Sequence, residues 1–185
     1  MTFRIVDEPP DRAAFTPEAI AAVAGEIRRG RARLLERVAA ATDADLAAGT
    51  DDDWGIGQIA LHLLTVERGI LGIAGRLARG EEPGPTGQPR PKSGSATRDG
   101  LASLASKAEA RLAQLQAEFP AEPDLSAMAR QPYYGNMNCI AWLLTIPIHY
   151  VAHRANLLRG IIRDIDVEFA FHREEDVDPV QRIDA

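Results

Sequence analysis

Six apolar residues, Ile59, Leu63, Val66, Ile70, Ile73 and Leu77, follow one another in alternating steps of four and three. That spacing lays one continuous apolar face along a helix and has no counterpart on a strand, whose sides alternate every second residue. Asp51-Asp52-Asp53 introduces this segment, and three others carry the same period. The first opens at Thr16-Pro17-Glu18: an N-cap, a proline at the first helical position and a carboxylate near the positive end of the helix dipole. Its stripe runs Ile20, Val23, Ile27, Leu34, Val38, and Arg28, Arg29, Arg31 and Arg33 crowd its middle as a solvated outer face. The third segment sets Leu101, Leu104, Ala108, Leu115 and Phe119 on one side, and Pro120 and Pro123 stop it. The fourth, about residues 138 to 163, has two stripes, Leu143, Ile146, Tyr150, Leu157 and Ile140, Leu144, Val151, Leu158. A helix apolar on two sides is covered on two sides. One stripe therefore faces the bundle centre, and the other awaits a second subunit or the chain's own tails, which predicts a homodimer.

Between the second and third segments lies Glu81-Glu82-Pro83-Gly84-Pro85-Thr86-Gly87-Gln88-Pro89-Arg90-Pro91-Lys92-Ser93-Gly94-Ser95, which cannot be a regular element and reads as a long surface connection. A second irregular stretch ends at Tyr133-Tyr134-Gly135-Asn136-Met137-Asn138. Connections of this length permit a crossover between helices. The expected fold is all-α: a four-helix bundle with long crossover connections. Short extended terminal segments, Phe3-Arg4-Ile5-Val6 and Val167-Glu168-Phe169-Ala170-Phe171-His172, pair with each other or pack along the bundle.

With 185 residues, 45% of them hydrophobic and few aromatic, the chain suits one helical domain over residues 1–185, its core at about 16–163 and an acidic tail at 164–185. The net charge of −6 argues against a binder of nucleic-acid backbones, which needs concentrated Lys and Arg, and leaves room only for a local basic patch. No uninterrupted apolar run reaches the roughly 18 residues of a membrane span, and the start Met1-Thr2-Phe3-Arg4 lacks the order of a signal peptide, so a soluble cytoplasmic protein is expected. The single cysteine, Cys139, reads as a small buried residue and leaves metal binding to histidines and carboxylates.

Two of the four histidines, His149 and His153, stand at i and i+4 on the fourth segment and project from one face. His62 lies on the second segment, roughly 40 to 60° from its apolar stripe at about 100° per residue. Ordinary helix histidines are the plain reading of each alone. Together, on two facing helices, three imidazoles give Zn²⁺ or Ni²⁺ a site with a position left open to water or substrate. Trp142, one heptad before His149, is a core residue by spacing and a candidate to line a pocket above such an ion. Pro147 removes a backbone hydrogen bond one turn earlier and predicts a bend just before His149. His172 reads as a surface histidine, and Trp54 as an anchor for the start of its helix.

The neighbours of these histidines make the pattern more specific. Asp53-Trp54-Gly55-Ile56-Gly57-Gln58-Ile59-Ala60-Leu61-His62-Leu63 resembles the tryptophan-to-histidine motif that opens the second helix in the DinB-like superfamily of damage-inducible four-helix bundles. Gln131-Pro132-Tyr133-Tyr134-Gly135 is similar, more loosely, to that family's approach to its last helix, and His149-Tyr150-Val151-Ala152-His153-Arg154-Ala155-Asn156-Leu157 to its closing motif. The resemblance spans about residues 16 to 163. It implies a crossover bundle, commonly dimeric, with a divalent metal on three histidines, here His62, His149 and His153. It also implies small-molecule chemistry: transferases and isomerases that use a low-molecular-weight thiol as co-substrate, or hydrolases. A stress-response protein that binds metal or ligand without turnover is the remaining class. Gln58 stands where the family often has glutamate and Asn156 where glutamine is frequent. Both are either candidates for hydrogen bonds that orient an imidazole or a bound water, or ordinary polar helix residues.

Overall fold

A computed structural model describes residues 17–87 and 89–159, the side chains of 155–159 excepted. Its elements are α1 (Pro17–Ala40), α2 (Asp43–Ala47), α3 (Ile56–Ala78), α4 (Arg98–Glu118), β1 (Ala129–Gln131), β2 (Gly135–Met137) and α5 (Cys139–Arg159). The four long helices match the four periodic segments. Thr16, Phe3–Val6, Val167–His172 and the acidic tail lie outside the described residues.

Contacts along the helices fix their directions. Arg28 on α1 reaches Glu109 and Gln116 on α4, and Arg98 at the start of α4 donates to Val38 O and Ala41 O at the end of α1, so the two are antiparallel. Asp124 N, just past α4, donates to Ala78 O at the end of α3 (2.9 Å), and Gly57 at the start of α3 adjoins Ala96, so α3 and α4 are parallel. The connection between them must therefore run the length of the bundle, and it does so along α3. Pro83 O accepts from Arg76 near the end of that helix, Pro91 O from Gln58 near its start, and Ser93 donates to Gly49 O just beyond. The second long connection crosses the far end to α5, which runs back antiparallel to α3. It carries the antiparallel β1–β2 hairpin, with Ala129 opposite Met137 and Gln131 opposite Gly135. Gln131 Oε1 accepts from the amides of Tyr133 and Tyr134 and closes the turn, where Gly135 takes φ +79°.

Three elements, α2 and the two strands of the hairpin, are additions to the four expected helices. α2 is a short turn of helix capped by Thr42, whose side chain accepts from Asp45 N while Asp45 accepts from Thr42 N. It lies across the start of α3, and two glycines let it come that close. A Cβ on Gly55 would stand 2.0 Å from Ala48 O, and one on Gly57 2.0 Å from Leu46 O. The Asp51–Asp53 run is a turn before Gly55, the N-cap of α3.

The core gathers Ile27 and Leu34 of α1, Leu63, Leu64, Leu71 and Leu77 of α3, Leu101 and Leu112 of α4, and Leu143 and Ile146 of α5. α3 is long and apolar enough by length and composition to cross a membrane, and two thirds of that stretch is buried inside the bundle. The two stripes of α5 differ in burial. Leu143, Ile146 and Tyr150 are buried, whereas in the second stripe Leu144 and Val151 are 45% and 67% exposed, with Ile148 beside them at 54%, and Ile140 packs partly buried against the core.

One correction concerns charge. Arg31, read as part of a solvated face, is buried (4% exposed) and donates to Glu109 Oε2 at 2.6 Å and to Ala105 O at 3.3 Å. It also stands 3.5 Å from Glu67 Oε1, an oxygen with no hydrogen-bond donor of its own. The Tyr150 hydroxyl donates to Glu67 Oε2 at 2.5 Å. Burial raises the Glu67 carboxyl's pKa against the pull of Tyr150 and Arg31. A cation from α1, a carboxyl from α3 and a phenol from α5 thus meet in the centre of the bundle.

Candidate metal centre

His62 sits in the second turn of α3 and is 5% exposed. His149 and His153 face it from α5, one turn apart. The three ring centroids lie 4.7 to 5.2 Å from one another, each pair close to edge-on, and one nitrogen from each ring falls within 4.8 Å of the other two.

The crossover connection orients the first imidazole. His62 Nδ1 lies 2.8 Å from Pro89 O. A carbonyl only accepts, so Nδ1 carries the proton and Nε2 is left with its lone pair. That Nε2 points at His149 Nε2, 3.2 Å away. Two imidazole nitrogens about 2.05 Å from one tetrahedral ion would be about 3.3 Å apart. Nδ1 of His153 is buried with no hydrogen-bond partner, a polar atom that ordinary packing would satisfy. The donor set, three nitrogens with no carboxylate and no thiolate in the group, suits Zn²⁺ or Ni²⁺.

Electrostatics agree with the geometry. Burial is the main reason that all three imidazoles resist protonation: the pKa of His62 is lowered, that of His149 falls to about 3 and that of His153 to about 4, the last two also because their neighbours are imidazoles. At neutral pH the rings are neutral, which is the ligand form. A pH dependence follows. These folded-state values lie below the unfolded value of 6.5, so the unfolded chain takes up more protons as pH falls. The stability they contribute is whole above about 6.5 and is lost progressively as pH drops through His153's 4 toward His149's 3. We expect urea unfolding of metal-free protein to show a loss on the order of 3 kcal/mol between pH 7 and 4, shared among coupled groups. In His149→Gln the slope should be visibly shallower; an equal slope would mean that the imidazoles are not buried as described.

Trp54, half-buried, lies against His62 with ring centroids 5.0 Å apart and planes tilted by 60°, while its Nε1 donates to Asp51 O. It anchors the start of α3 as expected and is also a wall of the site, a role its spacing eight residues before His62 did not disclose. Gln58 spends its amide on the loop beside the site. Its Oε1 accepts from Gly55 N (3.1 Å) and its Nε2 donates to Thr50 O and Pro91 O (3.0 and 3.2 Å). It therefore pins the strand of loop whose Pro89 carbonyl holds His62. Trp142 takes the first of its two readings: it is buried in the core and donates from Nε1 to Ala129 O, bracing the hairpin. Pro147 lies within α5, two residues before His149. The side chain of Asn156, and His172, lie outside the described residues. Cys139 is buried at the start of α5, ten residues and about 15 Å of helix from His149. Burial raises its thiol to about 11, which keeps it protonated at neutral pH.

A family model for the DinB superfamily matches residues 26–157, more than half of the chain and all three histidines. Neither a curated protein nor a solved structure matches.

Proposed function

This chain belongs to the DinB superfamily, and on that premise we propose that it is a metal-dependent enzyme that joins a low-molecular-weight thiol to a small electrophile, by transfer or isomerisation. The observation that carries the reading is the convergence of His62, His149 and His153 as neutral donors, two of their Nε2 atoms 3.2 Å apart. A divalent ion held there supplies Lewis acidity that lowers the pKa of a coordinated thiol or water at neutral pH. The protein's part is positional. Pro89 O fixes the His62 tautomer, Gln58 fixes the loop that carries Pro89, and Trp54 covers one side of the imidazoles. The thiol must arrive as a co-substrate, because Cys139 is buried and remote. The reading includes a cytoplasmic setting, which supplies such thiols, and a homodimer closed over Leu144, Ile148 and Val151.

The test is turnover. Protein purified without a histidine tag and loaded with Zn²⁺ or Ni²⁺ is offered a panel of electrophiles with several small thiols, and products are identified by mass spectrometry. A thioether or rearranged product, absent without metal and absent in His153→Ala, is expected. Products of water addition would replace this reading with a hydrolase, and no turnover with any pair would replace it with a metal-binding protein.

A further inference from the structure

On the outer side of the α3–α4 pair lies a groove of about 460 Å³ whose lining holds four cations, Arg68, Arg76, Lys107 and Arg111, and no carboxylate. On a chain of net charge −6 this is the local basic patch that the sequence left room for. Among the described residues none of the four forms an ion pair within 4 Å; the six such pairs all involve other cations. Two acids on the neighbouring segments are committed elsewhere. Glu81, whose carboxylate feels Arg76, is held by Arg79 at 2.7 and 2.9 Å, and Glu118 accepts from Gln114.

Two of the guanidinium groups are fixed by neutral oxygens. Arg76 Nε donates to Pro83 O at 3.0 Å, and Arg111 Nη1 to Gln114 Oε1 at 2.7 Å. Their Nη2 atoms converge over Gly72: a Cβ placed there would lie 3.5 Å from Arg111 Nη2 and 3.8 Å from Arg76 Nη2, so the two nitrogens stand within about 7.3 Å of each other. A tetrahedral oxyanion spans such a gap with a charge-assisted hydrogen bond of about 2.8 Å on either side. Two like charges held this close are repulsive until an anion sits between them. Arginine is the side chain whose planar fork suits phosphate, and Arg68 and Lys107 extend the positive field to either side. The protein's overall negative charge opposes a long polyanion and leaves a small phosphate group as the better fit.

We propose that this groove binds the phosphate or pyrophosphate group of a small molecule. The inference is independent of the metal centre: Gly72 follows His62 by ten residues, about 15 Å along α3. Calorimetric titration of the full-length protein with inorganic pyrophosphate, and separately with inorganic phosphate, tests it. One pyrophosphate per chain is expected to bind saturably at physiological salt, with phosphate weaker. Arg111→Gln should weaken it at least ~10-fold. Arg33→Gln, on the other side of the bundle, should leave binding unchanged. Retention in His149→Ala is expected, because pyrophosphate chelates metals and binding at the histidines would vanish there; loss in that variant overturns the proposal. So do absent saturation, full binding in Arg76→Gln/Arg111→Gln, equal competition by sulfate, or tighter binding of a short DNA duplex.

Discussion

His149→Ala is expected to abolish stoichiometric metal while leaving the helical signal in place. In the folded chain His149 Nε2 lies 3.2 Å from His62 Nε2, and both rings face His153. Its removal leaves two donors on different helices. Loss of a group that merely orients a ligand typically costs about 10- to 100-fold in metal affinity, so loss of a ligand should exceed ~100-fold. Elemental analysis of untagged protein and competition against a chromogenic chelator measure this directly, with circular dichroism as the check on folding. The fold should survive, because His149 is only half-buried and stands outside the apolar core cluster. Replacement of His172 by Ala should leave metal content at the parental value. Unchanged stoichiometry in His149→Ala would remove this residue from the metal site, and a collapse of helicity would show it to be structural.

The second large effect lies in the centre of the bundle. Arg31→Met is expected to cost about 3 to 5 kcal/mol of stability in urea at pH 7, because it strands Glu67 among apolar side chains with only Tyr150 as donor. The cost belongs to the orphaned carboxyl and not to the ion pair as such. Burying two charges is itself expensive, so Arg31→Met/Glu67→Met should recover most of the loss. A single-variant loss below about 1 kcal/mol would mean that Glu67 is neutral and content with Tyr150 alone. Because Tyr150 is the residue after His149, Arg31→Met also tests whether the register of α5 depends on this contact: weaker metal binding alongside lower stability would show that it does.

The helices were readable because their apolar steps are regular and their ends carry proline or glycine, and the histidine group because i and i+4 on one helix can face a third ring on another. What escaped the reading has identifiable causes. Arg31 occupies the step between Ile27 and Leu34, four after one and three before the other, so it belongs to the buried stripe by position. Glu67 likewise falls four after Leu63 and three before Ile70. An opposite charge at the core-facing position of each of two helices was the available signal, and arginine abundance on α1 obscured it. The hairpin at 129–137 has three-residue strands, too short for alternation to show. Pro89 could not be found at all: its contribution is a backbone carbonyl, and side-chain chemistry says nothing of where a carbonyl points. Gln58 orients the imidazole at one remove, since its amide holds the loop whose Pro89 carbonyl meets His62.

The lengthwise return of residues 79–97 also bears on how the molecule comes into being. Its anchors on α3 are close in sequence, whereas His62 meets His149 across 87 positions. Closing so long a segment costs chain entropy before any contact repays it. The loop can therefore settle on α3 and preset the first imidazole while α4 and α5 are still being made. The ion-binding set is complete only when the last helix docks, so metal uptake during refolding would act as a clock for that final step.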